Sequence, residues 1–62
     1  MREYLVEIRK KANLNQEEVA NMSDISRVYY SQIETGVRNP SVKVAKRIAN
    51  VLSLDWKIFF NN

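Results

Sequence analysis

The chain contains no cysteine and no histidine. Disulfide stapling is therefore excluded, and so are metal centres built on thiolate or imidazole ligands. A catalytic nucleophile would have to be a serine or threonine activated by lysine, or a carboxylate pair. Glu17 and Glu18 do not make such a pair, because adjacent helical residues point in different directions and acids in a first turn suit the positive end of the helix dipole. No catalysis, metal or cofactor is expected. There is one glycine and one proline, and no alternating β-branched run, repeat, linker or low-complexity tract. No apolar run approaches the roughly 20 residues of a membrane span. The opening MREYLVEIRK is interrupted throughout by charges, unlike a secretory signal, so a cytoplasmic protein is expected.

Sixty-two residues make one domain, residues 1–62, whose core is small: such a chain buries only about 60% of the surface it exposes when unfolded. Ten basic against seven acidic residues leave a net charge of +3. Alone this says little about nucleic acid, but the charges cluster, with Arg9, Lys10 and Lys11 closing one helix and Lys43, Lys46 and Arg47 on another. Such clusters suit phosphates. Their competing explanations are the negative end of a helix dipole, for the first cluster, and a solvated surface.

Leu5, Ile8 and Ala12 mark an amphipathic helix over residues 2–12, which Asn13 ends by taking a left-handed conformation. Two short helices joined by a tight turn occupy residues 15–36. Asn15 caps the first, with Glu18 three residues on completing a capping box, and Val19, Ala20 and Ser23 share its inner face. Ser26 caps the second, which holds Tyr30 and Ile33 inward and stops at Gly36. Its other faces carry Arg27, Val28, Tyr29, Ser31 and Gln32, residue types that read base edges. Pro40 then suits the threshold of a fourth helix, capped either by Asn39 with Pro40 as first helical residue or by Ser41. Ala45, Ile48, Ala49 and Leu52 form its stripe, widened by Val44 and Val51. Asp55 caps a last short helix over residues 56–60. Trp56, Phe59 and Phe60 share its core-facing side, and Ile58 points elsewhere, left exposed with Val51.

The two motif helices and their surroundings resemble the Cro and repressor proteins of lambdoid phages. The matching text is Leu14-Asn15-Gln16-Glu17-Glu18-Val19-Ala20, Ile25-Ser26-Arg27, Ser31-Gln32-Ile33-Glu34-Thr35-Gly36 and Arg38-Asn39-Pro40-Ser41, with Leu54-Asp55-Trp56 beyond. The order and spacing of these pieces carry the resemblance, which runs from about Leu5 to Phe60. It implies an all-α, five-helix, lambda-repressor-like DNA-binding domain whose helices 2 and 3 form a helix-turn-helix.

In that family the second motif helix contacts bases. Arg27 then pairs bidentately with guanine, Gln32 with adenine, and Val28 packs on a thymine methyl, with Tyr29 and Ser31 beside them. The similarity also makes Asn15 and Gln16 phosphate contacts, as it does Arg38 and Asn39 in the loop after the recognition helix; Lys10 and Lys43 join them from the basic clusters. Arg9 and Glu34 correspond to an ion pair that ties the first helix to the recognition helix. Tyr30 stands at an aliphatic core position, with its hydroxyl expected to reach the domain's edge. Because similar repressors pair through the end of the fourth helix and the residues after it, Val51 and Ile58 are the dimer candidates.

Three positions depart from the family pattern. Ser23 replaces a larger apolar residue, Asp24 the turn glycine, and Val37 a frequent basic residue. The expected function is a sequence-specific transcriptional regulator, a repressor or controller protein, bound as a weak homodimer to a palindromic site in double-stranded DNA. The alternative is a protein-interaction module, such as an antitoxin or partner-binding regulator, on the same helical fold. The recognition face, polar with one arginine, speaks for DNA, since a protein-binding face would cluster apolar anchors.

Overall fold

Side-chain caps at the helix starts and backbone closures at their ends shape the chain in the computed structural model, which describes residues 1–61. The elements are α1 (Glu3–Lys11), α2 (Gln16–Met22), α3 (Arg27–Thr35), α4 (Val42–Leu52) and a terminal 3-10 helix, Trp56–Phe60. No strand occurs among the described residues. The five-helix expectation is thus corrected to four α-helices and one 3-10 helix.

Four of these elements start on a side chain that takes up an otherwise unpaired backbone N–H. Asn15 Oδ1 accepts from the Glu18 N–H at 2.8 Å while Glu18 Oε1 accepts from the Asn15 N–H at 2.8 Å, a complete capping box. Ser26 Oγ accepts from the Tyr29 N–H at 3.1 Å, and Asp55 Oδ1 from the Lys57 N–H at 3.0 Å. At α4 the cap is Ser41, whose Oγ accepts from the Val44 N–H at 3.2 Å. Pro40 lies before it and is buried, which settles the choice left open between Asn39 and Ser41.

The helices also stop alike. Asn13, Asp24, Gly36 and Ser53 all have φ between 57° and 87°, and at three of them the next residue's N–H reaches back five positions: Leu14 to the Arg9 carbonyl, Ile25 to Ala20 and Leu54 to Ala49. This closure satisfies the orphan carbonyls of a last turn. Only one of the four is glycine. Of the others, Asn and Asp tolerate the conformation best, so Ser53 carries the most strain. Holding an L-residue there costs about 1–2 kcal/mol, against about 0.5–1 kcal/mol for the extra freedom glycine loses on folding. Ser53→Gly is accordingly expected to stabilise by about 0.5–1 kcal/mol. A melting temperature that does not rise would contradict this.

α2 packs against α3 and α4, α1 against α3, and the 3-10 helix against α4. Leu5, Val19, Ala20, Tyr30, Ile33, Val44, Ala45, Ile48, Leu52 and Phe59 form the core. Phe59 closes the C-terminal end with its ring 6.3 Å from that of Tyr4, and Lys46 lays its ammonium over Trp56, 5.0 Å from the ring centre.

Two expectations at this end are corrected. Phe60 is exposed (43%) rather than core-facing. A 3-10 helix has three residues per turn, so Trp56 and Phe59 align while Phe60 is rotated by about a third of a turn. Its ring instead meets Trp56 edge-on at 6.0 Å. Ile58 and Val51, expected to be exposed, are half-buried and packed against the core.

Ser23 is buried with its Oγ unpartnered. A buried hydroxyl without a hydrogen bond costs about 1–3 kcal/mol of desolvation. Ser23→Ala removes that cost at the loss of one small atom, and is expected to raise stability by about 1 kcal/mol in urea unfolding. A loss of stability would mean that the hydroxyl has a partner in solution.

Candidate nucleic-acid interface

α3 has two faces with opposite chemistry. Its inner face buries Tyr30, Ile33 and Glu34. Glu34, only 3% exposed, is the acceptor at the centre of a four-residue network. Arg9 Nε donates to its Oε2 at 2.6 Å and Arg9 Nη2 to its Oε1 at 3.3 Å, a forked ion pair. Gln16 Nε2 donates to Oε1 at 2.9 Å and the Tyr30 hydroxyl to Oε2 at 2.7 Å. Arg9 Nη1 also donates to the Leu14 carbonyl at 3.0 Å. One carboxylate thereby ties α1, the start of α2 and α3 together. It restrains α3 against rotation and sliding.

Burial by itself would raise the Glu34 carboxyl, but the hydrogen bonds from Arg9, Tyr30 and Gln16 outweigh it and hold it below its ordinary value. Burial and the bond to Glu34 push the Tyr30 hydroxyl far upward. Tyr30 is fully buried. The expectation that its hydroxyl reaches the edge is therefore corrected: it ends on Glu34, one helical turn away.

The outer face of α3 is open. Arg27 and Val28 are exposed, Val28 to 63%, while Tyr29, Ser31 and Gln32 are half-buried. Among the described residues the side chains of Arg27, Ser31 and Gln32 enter no hydrogen bond; the side-chain bonds of this helix and its cap are made by Ser26, Tyr30, Glu34 and Thr35. Arg27, Val28, Ser31 and Gln32 thus stand on the outer side of the helix, with the polar groups of Arg27, Ser31 and Gln32 unspent. Thr35 shares that surface, exposed and three and four residues beyond Gln32 and Ser31. Sequence reading passed over it, although its helical spacing was the signal.

The expected phosphate residues lie at helix ends and in the loop after α3. Arg38 and Asn39 are exposed in the loop between α3 and α4, and the Arg38 guanidinium stacks 4.6 Å from the centre of the Tyr29 ring. Tyr29 therefore supports the loop as well as the helix surface. Asn15 is exposed, but its Oδ1 and N–H are taken by the capping box, which leaves the amide Nδ2. Gln16 is half-buried and its Nε2 is engaged by Glu34. Lys10 and Lys43 are exposed in the last turn of α1 and the first turn of α4, and neither enters an ion pair among the described residues.

Over residues 5–59 the sequence matches the family model described as helix-turn-helix. The chain belongs to the helix-turn-helix family. Relatives agree: the chain is 47% identical over 62 residues to an uncharacterized HTH-type transcriptional regulator, YqaF, of Bacillus subtilis strain 168, covering all of this chain and 82% of that protein. It is 42% identical over 50 residues to the ImmF control region 10 kDa protein of Bacillus phage phi105, covering 81% of this chain and 56% of that one. It is 33% identical over 52 residues to the HTH-type regulator Rv0474 of Mycobacterium tuberculosis H37Rv, 84% of this chain and 37% of that protein. No solved structure matches significantly.

Membership gives the class, a DNA-binding regulator of transcription. As a helix-turn-helix protein it keeps the turn between α2 and α3 with Asp24 at φ 59° in place of glycine. Val37 is widely exposed beside Arg38. Among the described residues no helix is long and apolar enough to cross a membrane.

Proposed function

We propose that this protein is a sequence-specific repressor that binds double-stranded DNA in the cytoplasm, as a weak homodimer on a palindromic operator. The observation that carries the reading is the division of α3. Its inner face is locked by the Glu34 network, while its outer face holds Arg27, Val28, Ser31 and Gln32 clear of the core with their polar groups free. A rigid helix presenting unspent donors and an apolar contact is what base edges in a major groove require. Arg27, Val28, Tyr29, Ser31 and Gln32 read bases. Arg38, Asn39, Lys10, Lys43, Asn15 and Gln16 meet the backbone, the last two with the groups that the capping box and Glu34 leave free.

The dimer contact is assigned to Val51 and Ile58, with the exposed Phe60 at the same end of the chain. Half-buried side chains offer little area. Association must offset several kcal/mol of lost freedom, so the free protein dimerises weakly and pairs on DNA when two recognition helices occupy half-sites about 34–36 Å apart. Selection of bound duplexes from a randomised pool tests the whole reading. A palindromic consensus supports it, and recovery of no consensus sinks it. Ile58→Asp is expected to abolish cooperative binding to two half-sites while binding to one half-site persists, measured below the variant's melting transition because Ile58 also packs against the core. Sedimentation and a two-half-site titration read this out; unchanged cooperativity would move the dimer contact elsewhere.

A further inference from the structure

The loop after the recognition helix carries two of the backbone-binding residues, Arg38 and Asn39, yet the core hardly touches it. Residues 35–39 are all exposed, and only Pro40 is buried. Arg2, near the other end of the chain, supplies the missing anchor. Its Nη1 donates to the carbonyls of Ile33 at 2.6 Å and Arg38 at 3.2 Å, and its Nη2 donates to Asn39 Oδ1 at 2.5 Å. Its backbone N–H donates to the Glu34 carbonyl at 2.7 Å. One residue thus joins the last turn of α3 to the loop by four hydrogen bonds.

We infer that Arg2 is a positioning residue for DNA binding, which holds the loop after α3 in the shape that presents Arg38 and Asn39 to the phosphate backbone. The chemistry of the guanidinium supports the direction of the effect. Arginine can only donate hydrogen bonds, so the Asn39 amide must turn its oxygen toward Arg2 and its NH2 group away. That leaves a donor facing outward, the group a phosphate oxygen accepts from. The bond to the Arg38 carbonyl holds that residue's backbone while its guanidinium stacks on Tyr29. Backbone and side chain of Arg38 are thereby restrained from opposite ends, and less freedom is lost when it meets a phosphate.

This inference rests on the reading of Arg38 and Asn39 as backbone contacts, and a mutant cycle separates the two. Affinity for a selected duplex and for random duplexes is measured for wild type, Arg2→Ala, Arg38→Ala/Asn39→Ala and the triple variant, across a salt series and below each protein's melting transition. The expected result is that Arg2→Ala weakens both duplexes alike, by about 3–10-fold, and lowers the salt slope by less than Arg38→Ala/Asn39→Ala does. In the double-variant background, Arg2→Ala should then cost almost nothing further. Arg2→Lys keeps a donor but not the fork, so it should recover part of the loss.

Three results overturn the inference. Losses that simply add would make Arg2 an independent phosphate contact. A lower melting temperature with unchanged affinity of the folded protein would make it a cap on α3 and nothing more. If Arg38→Ala/Asn39→Ala leaves affinity and salt slope unchanged, the reading of the loop itself fails, and the inference fails with it.

Discussion

Glu34→Ala is expected to remove a large share of this protein's folding stability. The substitution removes the acceptor shared by Arg9, Gln16 and Tyr30, strands a fully buried phenol and takes the counter-ion from a largely covered guanidinium. Breaking a buried ion pair from one side costs about 3–5 kcal/mol. At roughly 0.05–0.15 kcal/mol per residue, a domain of this length has a total stability of only about 3–9 kcal/mol. The one loss is therefore a large share of the whole. Arg9→Ala should be similar in kind, and the double variant should cost much less than the two losses added, because neither partner is then left alone. Urea unfolding of the four proteins measures this. Additive losses, or a melting temperature for Glu34→Ala close to wild type, would show that the network contributes little.

The same network sets a pH dependence. The folded-state pKa of Glu34 lies below its ordinary value of 4.5, so its contribution is fully present above about pH 4.5 and lost as pH falls through the lower, folded value. Tyr30 is shifted in the opposite sense. Its contribution is present below about pH 10, the usual tyrosine value, and fades as pH rises above it. Glu34→Gln should flatten the acid limb of the stability profile. An acid limb identical to wild type would assign it to other carboxylates.

Arg27→Ala and Gln32→Ala are expected to give the largest changes in sequence preference. Both side chains lie on the outer face of α3 and hold no internal bond, so no hydrogen bond of the fold is lost with either. Each lost bidentate base contact should cost about 1–3 kcal/mol against the preferred duplex, and relax the preference at one base position. Binding to random duplexes should fall much less for Gln32→Ala, which loses no charge, than for Arg27→Ala. Selection of randomised sites with each variant reads this directly. If both variants return the wild-type consensus, the reading face is misassigned.

What the sequence by itself determined is the local grammar of the chain. The capping box of Asn15 and Glu18, the caps Ser26 and Asp55, the left-handed Asn13, Asp24 and Gly36, and the inward faces of α2 and α3 all depend on residues within a turn of one another. Interactions that close over three or four residues leave their mark as spacing, and spacing is readable. The motif order was legible for the same reason, and with it the family. Tertiary structure alone decided what depends on which elements meet. Arg2 bonds Asn39 across 37 positions, and Gln16 spends its amide on Glu34 across 18, so neither leaves a pattern along the chain. The final segment shows the limit from the other side. Its aromatic spacing fits an α-helix, but packing against α4 and Tyr4 draws it into a 3-10 turn, which buries Phe59 and leaves Phe60 in solvent. Over five residues, propensity and periodicity are too weak to resist the contacts that the rest of the molecule imposes.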